Sequence, residues 1–220
     1  VTTAPEGEAT AVVHDAVVLA GGRAARLGTP KPGVVVGGRP LLEHALAATR
    51  GARRTVVVGP EDLAAPGRYA LTREDPPFGG PVAGIAAGLA ALPDDGAAPW
   101  VLVLACDVPG AARAVPALLD AARRRTHDEA GVLAVRDGRE QWLVGLYERA
   151  ALDAALDALP TVHGASVRRL LADLPVLGVP DDDGATDDVD TWEDAREHDR
   201  RLGADARPAP GHPDDTRRSG

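Results

Sequence analysis

The stretch Ala16-Val-Val-Leu-Ala-Gly-Gly-Arg-Ala-Ala-Arg-Leu-Gly-Thr-Pro-Lys31 decides how the rest of the chain is read. Ala16 to Ala20 is a short, continuous, Val-bearing apolar run, the pattern of a strand buried on both faces. Gly21 and Gly22 follow at once. Without Cβ atoms, their backbone can adopt positive φ and bring its amides close to a ligand. Successive exposed amides make an anion-binding concavity. Arg23, Arg26 and Lys31 then set three positive charges within nine residues. Lys31 is the single lysine among 24 basic residues. Arginine's planar fork does not replace a compact ammonium at a tight phosphate site. Lys31 is thus either an accident of composition on a surface loop or a phosphate ligand, and its surroundings favour the ligand.

Two better-known phosphate loops are excluded. The dinucleotide fingerprint needs G-x-G-x-x-G opening a helix, and Gly21-Gly22-Arg23 breaks its first spacing. The P-loop needs G-K-[ST] at its end, whereas Gly28 is followed by Thr29-Pro30. Pro30 and Pro32 also oppose an immediate helix.

Along the chain, Val-rich or apolar strands are expected at 16–20, 54–59, 68–73, 100–105, 130–135 and 141–147. Helices are expected at 40–50, 82–92, 112–125, 149–159, 166–174 and 191–202. Their alternation argues an α/β fold with a largely parallel sheet, in which ligands gather at the C-terminal ends of the strands. The first strand ends at Gly21-Gly22 and the strongest ends at Cys106-Asp107, so both motifs fall on one edge. Residues 1–13 read as a flexible leader, 14–202 as a single domain and 203–220, with Pro208, Pro210 and Pro213, as a disordered tail.

Composition narrows the function further. Apolar content of 45% with only 3% aromatics predicts a core of Val, Leu and Ala. No apolar run reaches the roughly 18–20 residues of a membrane-spanning helix, and Val1 to Thr10 lacks the features of a signal peptide. One cysteine cannot close an intramolecular disulfide, which suits a reducing cytoplasm. The net charge is −9, and residues 181–199 alone hold ten acidic groups against Arg196. A nucleic-acid partner would call for a basic face instead. The histidines show no zinc-ligand spacing, and the nucleophile-elbow motif of serine hydrolases is absent.

Cys106-Asp107-Val108-Pro109 puts a carboxylate at the expected ligand edge, where it would serve as a Mg²⁺ ligand or as a helix cap. Asp188-Val-Asp190 sets two carboxylates on one face if extended, while Asp190 or Thr191 is also positioned to cap the last helix. Gly80 and Gly84 would permit close approach to a base or ribose, or tight helix packing.

Leu19-Ala-Gly-Gly22, Arg26-Leu-Gly28 and Lys31 resemble the signature L-A-G-G-x-x-x-R-[ML]-G-x-x-K of sugar-phosphate and cofactor nucleotidyltransferases. Within that superfamily the chain is most similar to the MobA-like family of molybdenum cofactor guanylyltransferase-like NTP transferases, over roughly residues 14–200. Cys106-Asp107-Val-Pro109 is similar to its C-D-x-P, Gly80-Pro-Val-Ala-Gly84 to its G-P-[LV]-A-G, and Asp188-Val-Asp-Thr-Trp-Glu-Asp194 to its D-x-D-T-P-E-D, with Trp192 in place of Pro. The resemblance implies a Rossmann-like three-layer α/β nucleotidyltransferase fold with a mostly parallel central sheet. It implies transfer of a nucleoside monophosphate from GTP to a phosphorylated acceptor, molybdopterin, with Mg²⁺ and release of pyrophosphate.

The same resemblance assigns Lys31, Arg26 and Asp107 to catalysis. It assigns Leu19, Ala20, Gly21, Gly22, Lys31, Asp75, Gly80 and Gly84 to the nucleotide, Asp107 and Asp190 to the metal, and Gln141 and Arg168 to the acceptor. Two alternatives stand beside it: a cytidylyl- or guanylyltransferase for another small phosphorylated acceptor, and a non-catalytic nucleotide-binding protein of the same fold.

Overall fold

Both faces of strand β1 (His14–Leu19) are apolar, with Ala16 and Val18 on one side, Val17 on the other, and all three 0% exposed. Such a strand belongs at the centre of a sheet. The computed structural model describes residues 11–21, 27–65, 67–93, 95–126 and 128–205. Beside β1 lie β4 (Thr55–Val58) and β6 (Trp100–Ala105), both parallel to it. The sheet continues outward to β5 (Ala70–Thr72) on one side. On the other it continues through β8 (Arg139–Glu148), β7 (Gly131–Arg136) and β9 (Val176–Pro180). The order is β5-β4-β1-β6-β8-β7-β9, seven strands in which β8 alone runs antiparallel. The expected mostly parallel sheet is what forms.

Alternation along the strands sorts the core into two layers. Ala16, Val18, Leu102 and Leu104 pack against α1 (Leu41–Ala48) and α3 (Ala111–Arg124). Val17, Val101 and Val103 pack against α2 (Pro81–Ala91), α4 (Arg149–Asp157) and α5 (Val167–Leu170). Fully burying one such Val or Leu contributes about 1.5–3 kcal/mol, so branched aliphatics carry this core with few rings.

Four features depart from the expected elements. The helix expected over 166–174 shrinks to the four residues of α5, because the chain must turn before Pro175 and enter β9. Strand β9 was not expected; it is a short edge strand holding Gly178 and Pro180, residues that mask a strand pattern. A two-stranded hairpin, β2 (Val35–Val36) and β3 (Arg39–Pro40), turns through Gly37 and Gly38, both at positive φ. That Gly-Gly pair is an ordinary hairpin signal in the sequence. The last helix, α6 (Trp192–Asp205), runs past the expected end at residue 202. Among the described residues no helix is long and apolar enough to cross a membrane.

Candidate active site

From β1 the chain moves to β4 and β5, then returns to place β6 on the other side of β1. The crevice at such a switch point is where open α/β sheets bind ligands. Leu19 pairs with Ala105, and the Cys106 amide donates to the Leu19 carbonyl at 3.0 Å. Gly21 and Asp107 therefore leave the sheet side by side. A cavity of about 530 Å³ opens there, walled by Leu19, Gly21, Lys31, Phe78, Gly80 and Asp107. A second cavity, about 640 Å³, lies at the opposite strand edge among Arg50, Arg53, Arg54 and Arg68. Three of those arginines already have partners: Arg53 donates to the Gly96 carbonyl, Arg54 to the Asp95 carbonyl and Arg68 to the Glu43 carboxylate. The chemistry-bearing groups converge on the first cavity.

A third small core brings distant segments to this cavity. Leu27, Val34, Val36 and Leu41 pack with Val189 and Ala195. That cluster ties the end of the glycine loop to the acidic segment before α6. Val189 is 0% exposed, so its neighbours Asp188 and Asp190 both turn the other way. The Val189 amide donates to the Asp107 carbonyl at 2.9 Å, fixing the two acidic segments together. Lys31 then donates to Asp107 Oδ2 at 2.6 Å and to Asp190 Oδ1 at 2.5 Å. Carboxylate oxygens of Asp107, Asp188 and Asp190 lie within 4.8 Å of one another. Burial disfavours the charged Lys31 ammonium, but its bonds to Asp107 and Asp190 outweigh this and hold its pKa above the usual lysine range. Although Asp188 as a residue is exposed, its carboxyl is hemmed in. Desolvation first, then the like charges of Asp107 and Asp190, raise its pKa.

Asp181, Asp187 and Asp194 of the same acidic stretch have structural work. Asp181 accepts hydrogen bonds from the Ala185 amide (2.9 Å), the Thr186 amide (2.8 Å) and the Thr186 hydroxyl (2.6 Å). Burial alone would raise its pKa; these bonds outweigh burial and hold it below the usual carboxylate value. Asp187 pairs with Arg136 and Arg201. Thr191 and Asp194 cap α6 reciprocally: the Thr191 amide and hydroxyl donate to Asp194 Oδ2, and the Asp194 amide donates to Thr191 Oγ1. The capping alternative for this segment thus falls to Thr191. Gly110, which opens α3, lets the 181–187 loop approach, since a Cβ there would sit 2.5 Å from the Ala185 carbonyl oxygen.

Of the residues singled out from sequence, Leu19, Gly21, Lys31, Gly80 and Asp107 line one cavity, with Asp190 joined to it through Lys31. Gly22 and Arg26 lie outside the described residues. Ala20 is buried at the end of β1, its amide donating to the Val58 carbonyl. Asp75 is exposed on the loop before α2, beyond the cavity wall.

Gly84 makes a tight packing contact. A Cβ there would come within 3.1 Å of Leu19 Cδ2, so the close approach is between helix and strand. Gln141 and Arg168 are not brought to the cavity wall. The Gln141 amide donates to the Arg139 carbonyl at 3.3 Å, and Arg168 is exposed on α5.

Three residues with a place at the site were not singled out. Leu143 sits where β8 bulges, Gln141 pairing with Ala134 but Gly145 with Leu133, and lines the cavity. Phe78 lines it from the loop before α2. Trp192 donates its indole N–H to the Leu27 carbonyl at 3.2 Å, binding α6 to the loop that carries Lys31. A bulge and an exposed ring leave no periodic signal, and Trp192 shows in the sequence only as a replacement of the family's proline, with no sign of its bond to Leu27.

Three carboxylates beside a lysine and a glycine turn can together hold a hard divalent cation and the phosphates it bridges. The fold and this crevice define a mostly parallel α/β protein with a lysine–carboxylate site at its switch point. The chain belongs to the MobA-like NTP transferase domain family, whose sequence model matches residues 16–177. It is 37% identical over 114 residues to the molybdenum cofactor guanylyltransferase of Pseudomonas aeruginosa, a match covering 49% of this chain and 56% of that protein. The chain thus spans little more than half the length of that relative.

Among solved structures it superposes on molybdopterin-guanine dinucleotide biosynthesis protein A from Archaeoglobus fulgidus with a TM-score of 0.66 at 20% identity, covering 86% of this chain and 99% of that one. It superposes on 2-C-methyl-D-erythritol 4-phosphate cytidylyltransferase from Thermus thermophilus with a TM-score of 0.61 at 21% identity, covering 87% and 100%. At these identities the two structures establish the shared fold.

Proposed function

We propose that the chain, with 14–202 as its single catalytic domain, transfers GMP from GTP to a phosphate oxygen of molybdopterin. That oxygen forms a bond to the α-phosphorus, the bond between the α-phosphorus and the bridging oxygen to the β-phosphate breaks, and pyrophosphate leaves with that electron pair. The observation that carries this reading is that Lys31 and Asp107 line the switch-point cavity while Asp188 and Asp190 cluster against them. Such reactions depend on positioning and charge neutralisation more than on covalent catalysis.

Gly21, with Gly22, presents the glycine turn to the nucleotide. Lys31, with Arg26, neutralises the triphosphate as charge develops on the leaving pyrophosphate. Asp107 and Asp190, joined by Asp188, would hold Mg²⁺, a hard cation suited to an all-carboxylate set. When bound, that ion supplies Lewis-acid polarisation of the phosphate oxygens. Gln141 and Arg168 stand as the acceptor-side residues implied by family resemblance, and a closed, loaded state must bring them nearer the cavity for that assignment to hold.

A second reading has a specific observation behind it. Both polar positions of Asp188-Val-Asp190 are acidic, and the fold is shared with a protein whose name is cytidylyltransferase. Incubating the protein with Mg²⁺, each triphosphate in turn and either molybdopterin or another small phosphorylated acceptor, and recording pyrophosphate release, separates the two. GTP-dependent release that is lost in Asp107→Asn supports the first reading. CTP-dependent release with a different phosphorylated acceptor supports the second.

A further inference from the structure

We propose that Phe78 is the stacking platform for the nucleobase of the bound triphosphate, an inference that rests on the nucleotidyltransferase reading above. Phe78 is the single phenylalanine of the chain, yet it is 52% exposed. It also holds φ at 66°, a left-handed conformation that a bulky L-residue adopts at a cost. Neither feature helps the fold, because the ring buries little and the backbone is strained. Such residues persist where the surroundings over-determine them, and they cluster at ligand sites.

The surroundings of Phe78 meet that description. Its amide donates to Glu74 Oε1 at 3.0 Å, closing the loop on itself. The Arg73 guanidinium lies 5.5 Å from the ring centroid, within cation–π range. The ring thus lines the wall of the switch-point cavity together with Gly80, Pro81, Gly21 and Leu19.

Position within the cavity selects the base over the phosphates. Lys31, which opens the turn 31–33, and Asp107, two residues past β6, are joined by a 2.6 Å bond and hold the charge-bearing end. The Phe78 loop leads into α2, which packs on β1 and β4, so it lies on the other side of β1 from Asp107. A nucleotide with its phosphates at Lys31 and its body laid across Gly21 brings its planar base to this side. Every base has a π-face, and stacking on an aromatic side chain is worth about tenfold or more in affinity.

The test measures Mg²⁺-dependent binding of GTP and of inorganic tripolyphosphate by calorimetry, in wild type, Phe78→Ala and Phe78→Trp. Phe78→Ala is expected to weaken GTP about tenfold and leave tripolyphosphate unchanged, while Phe78→Trp keeps GTP near the wild-type value. Equal GTP affinity in Phe78→Ala and wild type overturns the platform, as does an equal loss of tripolyphosphate. A rise in acceptor KM with unchanged GTP binding also overturns it, by giving the ring to the acceptor. Those outcomes leave the transferase reading intact; wild-type protein that binds no nucleoside triphosphate overturns both.

Discussion

Replacing Lys31 by alanine should move two observables in opposite directions. In the structure the Lys31 ammonium stands between Asp107 and Asp190, at 2.6 and 2.5 Å, where it offsets three carboxylates gathered within 4.8 Å. Two unit charges 4.8 Å apart repel by about 1 kcal/mol in water and about 3.5 kcal/mol at an effective dielectric of 20. The side chains of Lys31 and Asp107 are about four-fifths buried, but that of Asp190 is 45% exposed, so solvent screens part of this. Lys31→Ala should therefore lower the stability of the metal-free protein by about 1–3 kcal/mol.

A divalent cation entering the same cluster no longer competes with the ammonium, and its affinity without nucleotide should rise about tenfold, or about 1.4 kcal/mol. Turnover should nevertheless fall about 10²–10³-fold, because the charge that meets the triphosphate is gone. Urea unfolding with and without Mg²⁺, alongside Mg²⁺ calorimetry, reads both. Unchanged or weaker Mg²⁺ binding in the variant would refute the reasoning, because the three carboxylates would then not form one cation site.

Trp192→Phe keeps a ring but removes the bond to the Leu27 carbonyl; we expect a loss of about 0.5–1.5 kcal/mol in urea unfolding and a several-fold rise in the KM for GTP with kcat little changed. An unchanged KM would show that the indole does not position the loop. Asp181→Ala leaves three donors of the 185–186 turn without their acceptor and should cost about 1–3 kcal/mol by thermal or urea melting. Because the folded pKa of Asp181 is depressed, its contribution is present above the unfolded value near 3.8 and fades as pH falls through the lower folded value. Wild type should lose more stability than Asp181→Ala between pH 5 and pH 2, and parallel curves would contradict this. Gly110→Ala drives a methyl against the Ala185 backbone and should cost about 1–3 kcal/mol while weakening Mg²⁺ binding, read by the same melts and calorimetry.

The central strands were legible because each is an unbroken apolar run that both sheet faces bury, as in Val101 to Leu104. The convergence of Lys31 and Asp107 was legible for the same reason, since parallel neighbours deliver both loops to one edge. What escaped depends on packing that no local pattern encodes. Whether Asp188 or Asp190 faces the crevice turned on Val189, whose burial in the third core points both carboxylates the same way. Gly84, open in the sequence to ligand contact or helix packing, has a close helix–strand approach that only the distance to Leu19 reveals. Strand β9 was hidden by Gly178 and Pro180, and Phe78 by standing alone in a loop.

The central claim is that the α-phosphate of a triphosphate passes to a phosphorylated acceptor in this crevice. Label transfer tests it most directly. Protein, Mg²⁺ and molybdopterin are incubated separately with GTP labelled at the α- or the γ-phosphate, in wild type and Asp107→Asn. The account predicts that α-label enters a guanine dinucleotide product, that γ-label leaves as pyrophosphate, and that Asp107→Asn forms neither. Gamma label on the acceptor, or full activity in Asp107→Asn, would contradict it.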